Sequence, residues 1–267
     1  MKYINNLNGF IAVEYSRVRL RVHFAPLGFQ VQRIVEPMKM VRADVGIILT
    51  YSQTDRAQHL LPKVISDLEE SNIRTETLRC NIWDTSEVVN EIGAVVTSAR
   101  QHEYFFNLST GTRNASIAGV MAGMFWQVTP YFMPINDQGK PIDSEQDFPV
   151  SGSPNFVPTF EVPILEKQAL MALEFLVSRS GPFWKREVLS FLKEKGVIAP
   201  RLKQSVSDQA LQGQLDSILN KLTSWGFIEL SGRGKKLKIG ITPKGIEGRK
   251  MFFHVLNPRA PLTILSV

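Results

Sequence analysis

Between residues 20 and 134 the chain keeps switching from short apolar runs to longer amphipathic ones, and that alternation restricts it to one fold class. Leu20-Arg21-Val22-His23-Phe24 reads as a strand and is followed by a helical run over Gln30–Met40. Val45-Gly46-Ile47-Ile48-Leu49 is apolar without a break, which suits a strand buried on both faces, as strands of parallel sheets are. Residues Arg56–Ser71 place Leu60, Leu61, Val64, Ile65 and Leu68 at helical spacing. A strand over Arg74–Asn81, a helix over Ser86–Arg100, a strand over Tyr104–Leu108, a helix over Asn114–Trp126 and a strand over Val128–Pro134 complete the series. Gly119 and Gly123 in the last helix allow close packing on a sheet. Strand–helix alternation at this spacing predicts an α/β fold with a doubly wound, mostly parallel sheet.

In such folds ligands bind beyond the carboxyl ends of the strands. The loops expected there are Ala25–Gly28, Thr50–Thr54, Trp83–Thr85 and Asn107–Arg113. The last is the most informative. An apolar strand stops, a loop of small polar residues around one glycine follows, and a helix begins, so hydroxyls and unpaired backbone N–H groups collect where the helix dipole favours an anion. The candidate ligand-binding residues are Ala25, Pro26, Leu27, Gly28, Thr50, Ser52, Asn107, Ser109, Thr110, Gly111, Thr112 and Arg113. Neither the Gly-x-Gly-x-x-Gly dinucleotide fingerprint nor the Gly-x-x-x-x-Gly-Lys-Ser/Thr phosphate loop is present, which argues against an ordinary NAD enzyme or nucleoside triphosphatase.

No metal-ligand spacing occurs, and the four histidines, at 23, 59, 102 and 254, are scattered singly. Neither metal nor cofactor is expected. A single cysteine, Cys80, excludes an internal disulfide and fits a reducing cytoplasm. No apolar run reaches the roughly 18 residues that would span a bilayer. Residues 1–18 carry polar and charged side chains where a secretory signal has its apolar core, and read as an extension.

Charge divides the chain. Residues 1–150 hold 14 Lys and Arg against 16 Asp and Glu, a net −2, whereas residues 151–267 hold 17 against 9, a net +8, so the excess behind the overall +6 lies in the second half. A polyanion is therefore expected to meet that half alone. The stretch 136–163 is rich in proline and reads as a linker or edge arm. A helix over Leu165–Arg179 follows, then a second over Phe183–Lys195 and a third over Ser207–Trp225. The third spaces Leu211, Leu215, Ile218, Leu222 and Trp225 as one apolar stripe. Two strand-like runs, Phe227–Leu230 and Leu237–Thr242, flank the basic segment Ser231–Lys236, and a closing helix starts at Pro243.

Three helices, a basic-tipped hairpin and a closing helix match a winged helix-turn-helix unit over 164–267. In the major groove of double-stranded DNA its third helix would lead with Ser207, Gln209 and Gln212. Arg233, Lys235 and Lys236 would reach the flanking backbone or minor groove, and Arg201 and Lys203 a phosphate. Winged helices also mediate protein contacts, and a protein-interaction module without DNA binding is the alternative.

Val22-His23-Phe24-Ala25-Pro26-Leu27-Gly28 together with Asn107-Leu108-Ser109-Thr110-Gly111-Thr112 resembles the CRISPR-associated Rossmann-fold (CARF) family, joined here to a winged helix as in archaeal regulators of that family. The likeness implies a Rossmann-like sensing domain over 19–135. It also implies a homodimer that binds a cyclic oligoadenylate, most simply cyclic tetra-adenylate, across its two-fold axis as part of CRISPR defence. The Ser109, Thr110 and Thr112 hydroxyls and the Gly111 N–H would then hold phosphate or ribose. Some members cleave their ligand through a ribose 2′-hydroxyl. As such a metal-independent ring nuclease this chain would rely on Ser109 and Arg113.

Overall fold

The apolar runs form strands β1 (Arg21–Pro26), β2 (Val45–Thr50), β3 (Arg74–Arg79), β4 (Glu103–Asn107) and β5 (Thr129–Phe132). Between them lie helices α1 (Gln32–Met40), α2 (Leu61–Glu70), α3 (Thr85–Ser98) and α4 (Arg113–Trp126). The computed structural model describes residues 18–51, 55–134, 150, 152–179, 181–198 and 208–266. Of the expected extension over residues 1–18 all but Val18, and of the expected arm over 136–163 residues 136–149 and 151, lie outside the described residues, as does residue 135 at the end of the expected first domain. A short strand β6 (Asn155–Phe156) runs antiparallel beside β5 and closes a six-stranded sheet in the order β3-β2-β1-β4-β5-β6; all other pairings are parallel.

Register follows burial. β1 pairs Val22 with Val45 and Phe24 with Ile47 on one side, and Val22 with Tyr104 and Phe24 with Phe106 on the other. These side chains share one sheet face under α3 and α4. Ala25 and Ile48 share a cluster with Ile34 and Met38 of α1 and Val64 and Leu68 of α2. With helices on both faces, every residue of β2 is buried, as its unbroken apolar run predicts. β3, Arg-Thr-Glu-Thr-Leu-Arg, is only partly buried at the sheet edge, where charged side chains discourage pairing with foreign strands. Gly119 lies flat against Phe106: a Cβ there would come within 2.3 Å of the ring.

The helix expected over Arg56–Ser71 is broken. A 3-10 turn over Arg56–Leu60 precedes α2, because Pro62 at the start of α2 lacks an N–H and its ring excludes a continuous preceding α-turn.

The second unit contains α5 (Lys167–Ser178), a two-residue strand β7 (Phe183–Trp184), α6 (Lys185–Glu194), α7 (Asp208–Ser224), β8 (Ile228–Ser231), β9 (Lys238–Ile241), α8 (Pro243–Met251) and the single turn α9 (Phe253–Leu256). Its sheet is antiparallel, β7-β9-β8. The helix expected from Phe183 starts at Lys185 instead. Phe183 and Trp184 are drawn into pairing with Ile239 and Lys238, and the Trp184 N–H donates to the Glu187 carboxylate at 2.7 Å, which caps α6. The stripe on α7 holds: Leu211, Leu215, Ile218 and Leu222 are buried against Leu173, Leu176, Val188 and Leu192.

The chain then turns back. Leu265, in a 3-10 turn over Thr263–Leu265, is fully buried among Leu20, Cys80 and Tyr104 of the first unit's core, and its carbonyl lies 3.1 Å from His102 Nε2. The second unit is thereby strapped to the first. Leu265→Ala is expected to cost about 2–4 kcal/mol by cavity formation, read as a lowered urea midpoint at unchanged slope.

Candidate functional site

β1 and β4 are neighbours whose connections leave in opposite directions, β1 to β2 and β4 to β5, and their end loops splay apart at this switch point. A cavity of about 570 Å³ opens there. Leu27, Gly28, Ser109, Thr110, Gly111 and Thr112, all anticipated from sequence, line it.

Two glycines let the loops meet. A Cβ on Gly28 would sit 2.3 Å from Thr110 Oγ1 and 2.8 Å from the Gly111 nitrogen. Gly111 adopts φ +81°, and a Cβ there would strike the Pro26 ring at 2.4 Å. Only glycine satisfies both the backbone angle and the approach.

The polar residues divide into scaffold and lining. Asn107 is wholly buried: its Nδ2 donates to the Arg33 carbonyl at 2.8 Å and its Oδ1 accepts from the Ser109 N–H at 2.9 Å, forming a turn that shapes the loop. The Thr112 hydroxyl caps α4 by accepting from the Ala115 N–H at 3.1 Å, and donates to the Ile82 carbonyl. Ser109 Oγ accepts from the Met133 N–H at 2.8 Å, which leaves its own proton to donate. The first-turn N–H groups of Arg113 and Asn114 have no partner four residues back inside the helix. Ala25 and Thr50 are buried and do not line the cavity, Pro26 braces Gly111, and Arg113 is exposed and does not line it either. Ser52 lies outside the described residues.

The loops Thr50–Thr54 and Trp83–Thr85 were expected at the site, but the aromatic and basic residues that give the cavity its chemical character were not singled out as ligand contacts. Phe29, Tyr51 and Trp83 stand at its lining with 44, 41 and 60% of their surfaces exposed, far above what large aromatics in a core retain. Each follows a different strand end within a few residues. One aromatic per loop was the available signal. Arg33 and Arg56 also line the cavity. Arg33 is half-buried: Nη1 donates to Gln30 Oε1 at 3.3 Å, Nε is buried without a hydrogen-bond partner, and burial lowers its pKa from the ordinary value. A partly dehydrated guanidinium of this kind is relieved by an anion. Asp55, also lining, caps the 3-10 turn by accepting from the Ala57 N–H at 2.9 Å. Two guanidinium groups, hydroxyls and a helix N-terminus can hold phosphate, while exposed rings can stack bases. Among the described residues no three His, Cys, Asp or Glu side chains come together as a metal site.

Of the expected DNA-facing residues, Gln209 is exposed and Gln212 half-buried on α7, and Arg233 and Lys236 are exposed between β8 and β9. Lys235 occupies the same turn, with no side chain described; Arg201, Lys203 and Ser207 lie outside the described residues. No helix among the described residues is long and apolar enough to cross a membrane.

Comparison with solved structures finds Can2 of Sulfobacillus thermosulfidooxidans in complex with cyclic tetra-adenylate, at TM-score 0.38 and 8% identity over 88% of this chain and 65% of that one. VC1899 of Vibrio cholerae follows at TM-score 0.37 and 14% identity, covering 88% and 67%. Csm6 of Enterococcus italicus, bound to cyclic hexa-2′-fluoro-hexa-dAMP, gives 0.36 and 10%, covering 78% and 56%. Superpositions this loose transfer neither site nor ligand. The uncharacterised protein MJ1513 of Methanocaldococcus jannaschii is 24% identical over 132 residues, which span 45% of this chain and 39% of that relative. A family model described as HFX_2341_N:-like, N-terminal, matches residues 21–137, the unit whose strand ends build the cavity.

Proposed function

We propose that this chain is a ligand-responsive DNA-binding regulator, with a CARF-like first unit that takes a cyclic oligoadenylate and a winged helix-turn-helix second unit that takes double-stranded DNA. The observation that carries the reading is the cavity at the β1/β4 switch point. It combines two arginines, the hydroxyl loop Ser109–Thr112 and three exposed aromatic rings. Phosphates and bases recur together in an oligoadenylate, and a cavity lined by both guanidinium groups and aromatic rings suits both. The loop likeness quoted above supports a ring-shaped ligand shared by two copies, because a two-fold symmetric ring matches two copies of one pocket. The second unit supports DNA by its helix–strand–helix–helix–hairpin order and by the exposed Arg233 and Lys236 between β8 and β9.

Cyclic tetra-adenylate is expected to raise the melting temperature of the protein, and Arg33→Gln to weaken binding by about 10–100-fold, the scale of a charge-assisted contact. Linear products after incubation would place the chain among the ring nucleases. The Arg233, Lys235, Lys236 triple alanine variant is expected to lose DNA affinity and to lower the salt slope by up to about 3. Unchanged DNA binding by that variant excludes the hairpin as the DNA contact; an unshifted melting temperature excludes the ligand.

A further inference from the structure

The loop between β3 and α3 belongs to both units. On one side it is tied to the cavity: the Ile82 carbonyl accepts from the Thr112 hydroxyl, the Trp83 carbonyl from the Asn114 side-chain amide, and the Trp83 ring lines the opening. On the other side the next residue, Asp84, reaches the second unit. Its Oδ1 caps α3 by accepting from the Glu87 N–H at 3.1 Å, and its Oδ2 accepts from Lys250 Nζ of α8. Burial alone would raise the Asp84 pKa, but Lys250 and the Glu87 and Ser86 N–H groups hold it below the usual carboxylate value.

α8 passes a displacement on because it has no slack. Arg249, beside Lys250, grips Glu174 of α5 through two hydrogen bonds of 2.6 and 3.0 Å. The Thr242 hydroxyl that caps α8 also bonds the Gly226 carbonyl at 2.7 Å, where α7 runs into β8. Gly245 and Gly248 let α8 lie against Phe227 so closely that a Cβ would meet its carbonyl at 2.1 Å and its ring at 2.4 Å. The helix, the hairpin base and α5 are therefore tied to one another.

We propose that the Asp84–Lys250 ion pair is the element through which an occupied cavity sets the orientation of the second unit. The inference rests on the reading of the cavity as a nucleotide site. A base stacked on Trp83 displaces the loop, and with it the carboxylate that Lys250 holds. A ligand shifts the arrangement only by its difference in affinity between the two positions of that loop.

Hydrogen–deuterium exchange on the full chain, with cyclic tetra-adenylate as the probe, tests this. In the parent, residues 108–114 become protected and exchange in Pro243–Met251 changes by at least about 5-fold, the low end of usual coupling. Lys250→Gln keeps the first response and loses the second, whereas Lys250→Arg keeps both. Asp84→Asn, which preserves the helix cap, behaves like Lys250→Gln. An undiminished α8 response in Lys250→Gln overturns the proposal, as does a parent in which 108–114 responds and α8 does not. If 108–114 itself is unaffected in the parent, the cavity reading fails, and the coupling with it.

Discussion

Gly111→Ala is expected to lower stability by about 3 kcal/mol and to weaken cyclic tetra-adenylate binding by 100-fold or more, from the sum of backbone strain and overpacking. Two costs fall on one methyl group. At φ +81° an L side chain is strained, and the new Cβ would lie 2.4 and 2.6 Å from the Cβ and Cγ of Pro26. Pro26 ends β1 inside the sheet and is held by its ring, so the Thr110–Gly111 turn must give way. That turn carries the cavity's hydroxyls and precedes the α4 cap. Gly152→Ala is the control: φ is +76° there, yet no atom lies within 4 Å of a Cβ, so only the strain of about 1 kcal/mol remains. Urea titration of both variants separates the two costs, and calorimetry reads the affinity. Equal losses for Gly111→Ala and Gly152→Ala would show that the loops do not need their close approach.

Acidification is the second large effect. His23, in β1, is completely buried, stacked on Phe105, with Nδ1 3.0 Å from the Tyr131 hydroxyl; burial, and then the Arg21 charge, push its pKa down to about 3. His254 is buried between the units, with Nδ1 3.1 Å from Asn90 Oδ1 and its ring against Gly93 and Trp126; burial lowers its pKa to about 4. Both are neutral in the folded protein while the unfolded chain protonates them near 6.5. Between pH 6.5 and 4 the unfolded state therefore binds more protons, and stability falls as pH falls. Linkage gives about 2 kcal/mol lost per histidine from pH 7.5 to pH 5. His254→Gln is expected to halve the combined loss of the two histidines, whatever its cost at pH 7.5. A urea midpoint unmoved between pH 7.5 and 5 would mean that these rings are hydrated.

Periodicity carried the fold. The unbroken apolar run of β2, the stripe on α7 and the strand–helix alternation each follow from local spacing, and each occurs as the spacing requires. The exceptions are local as well: Pro62 splits a helix that apolar spacing alone makes continuous, and Phe183-Trp184 trade a helical turn for two sheet pairings with residues more than fifty positions away. In the cavity, Gly28 and Ser109–Thr112 were legible because small residues at a strand end have few other uses. Arg33 was not. It sits on the first turn of an amphipathic helix, where an arginine reads as solvated until the sheet places that turn beside the switch point. Tyr51 and Trp83 lie in loops expected at the site, but as ligand contacts they and Phe29 escaped for the related reason that aromatics near strand ends ordinarily join the core. Asn107 shows the converse, since both ends of its side chain serve the loop's own shape.

The strap formed by Leu265 bears on how the chain is made. The hydrogen bond between His102 and Leu265 spans 163 residues. At ribosomal speeds of about 5–20 residues per second, the slot for Leu265 stays empty for roughly 8–30 s after the strand that flanks it has emerged. Through that interval Leu20, Cys80 and Tyr104 lack the side chain that packs among them in the finished chain, and apolar surface left open in this way is the kind that holdase chaperones bind. A ribosome-stalled chain ending before residue 260 should therefore remain protease-sensitive even where its sheet is complete.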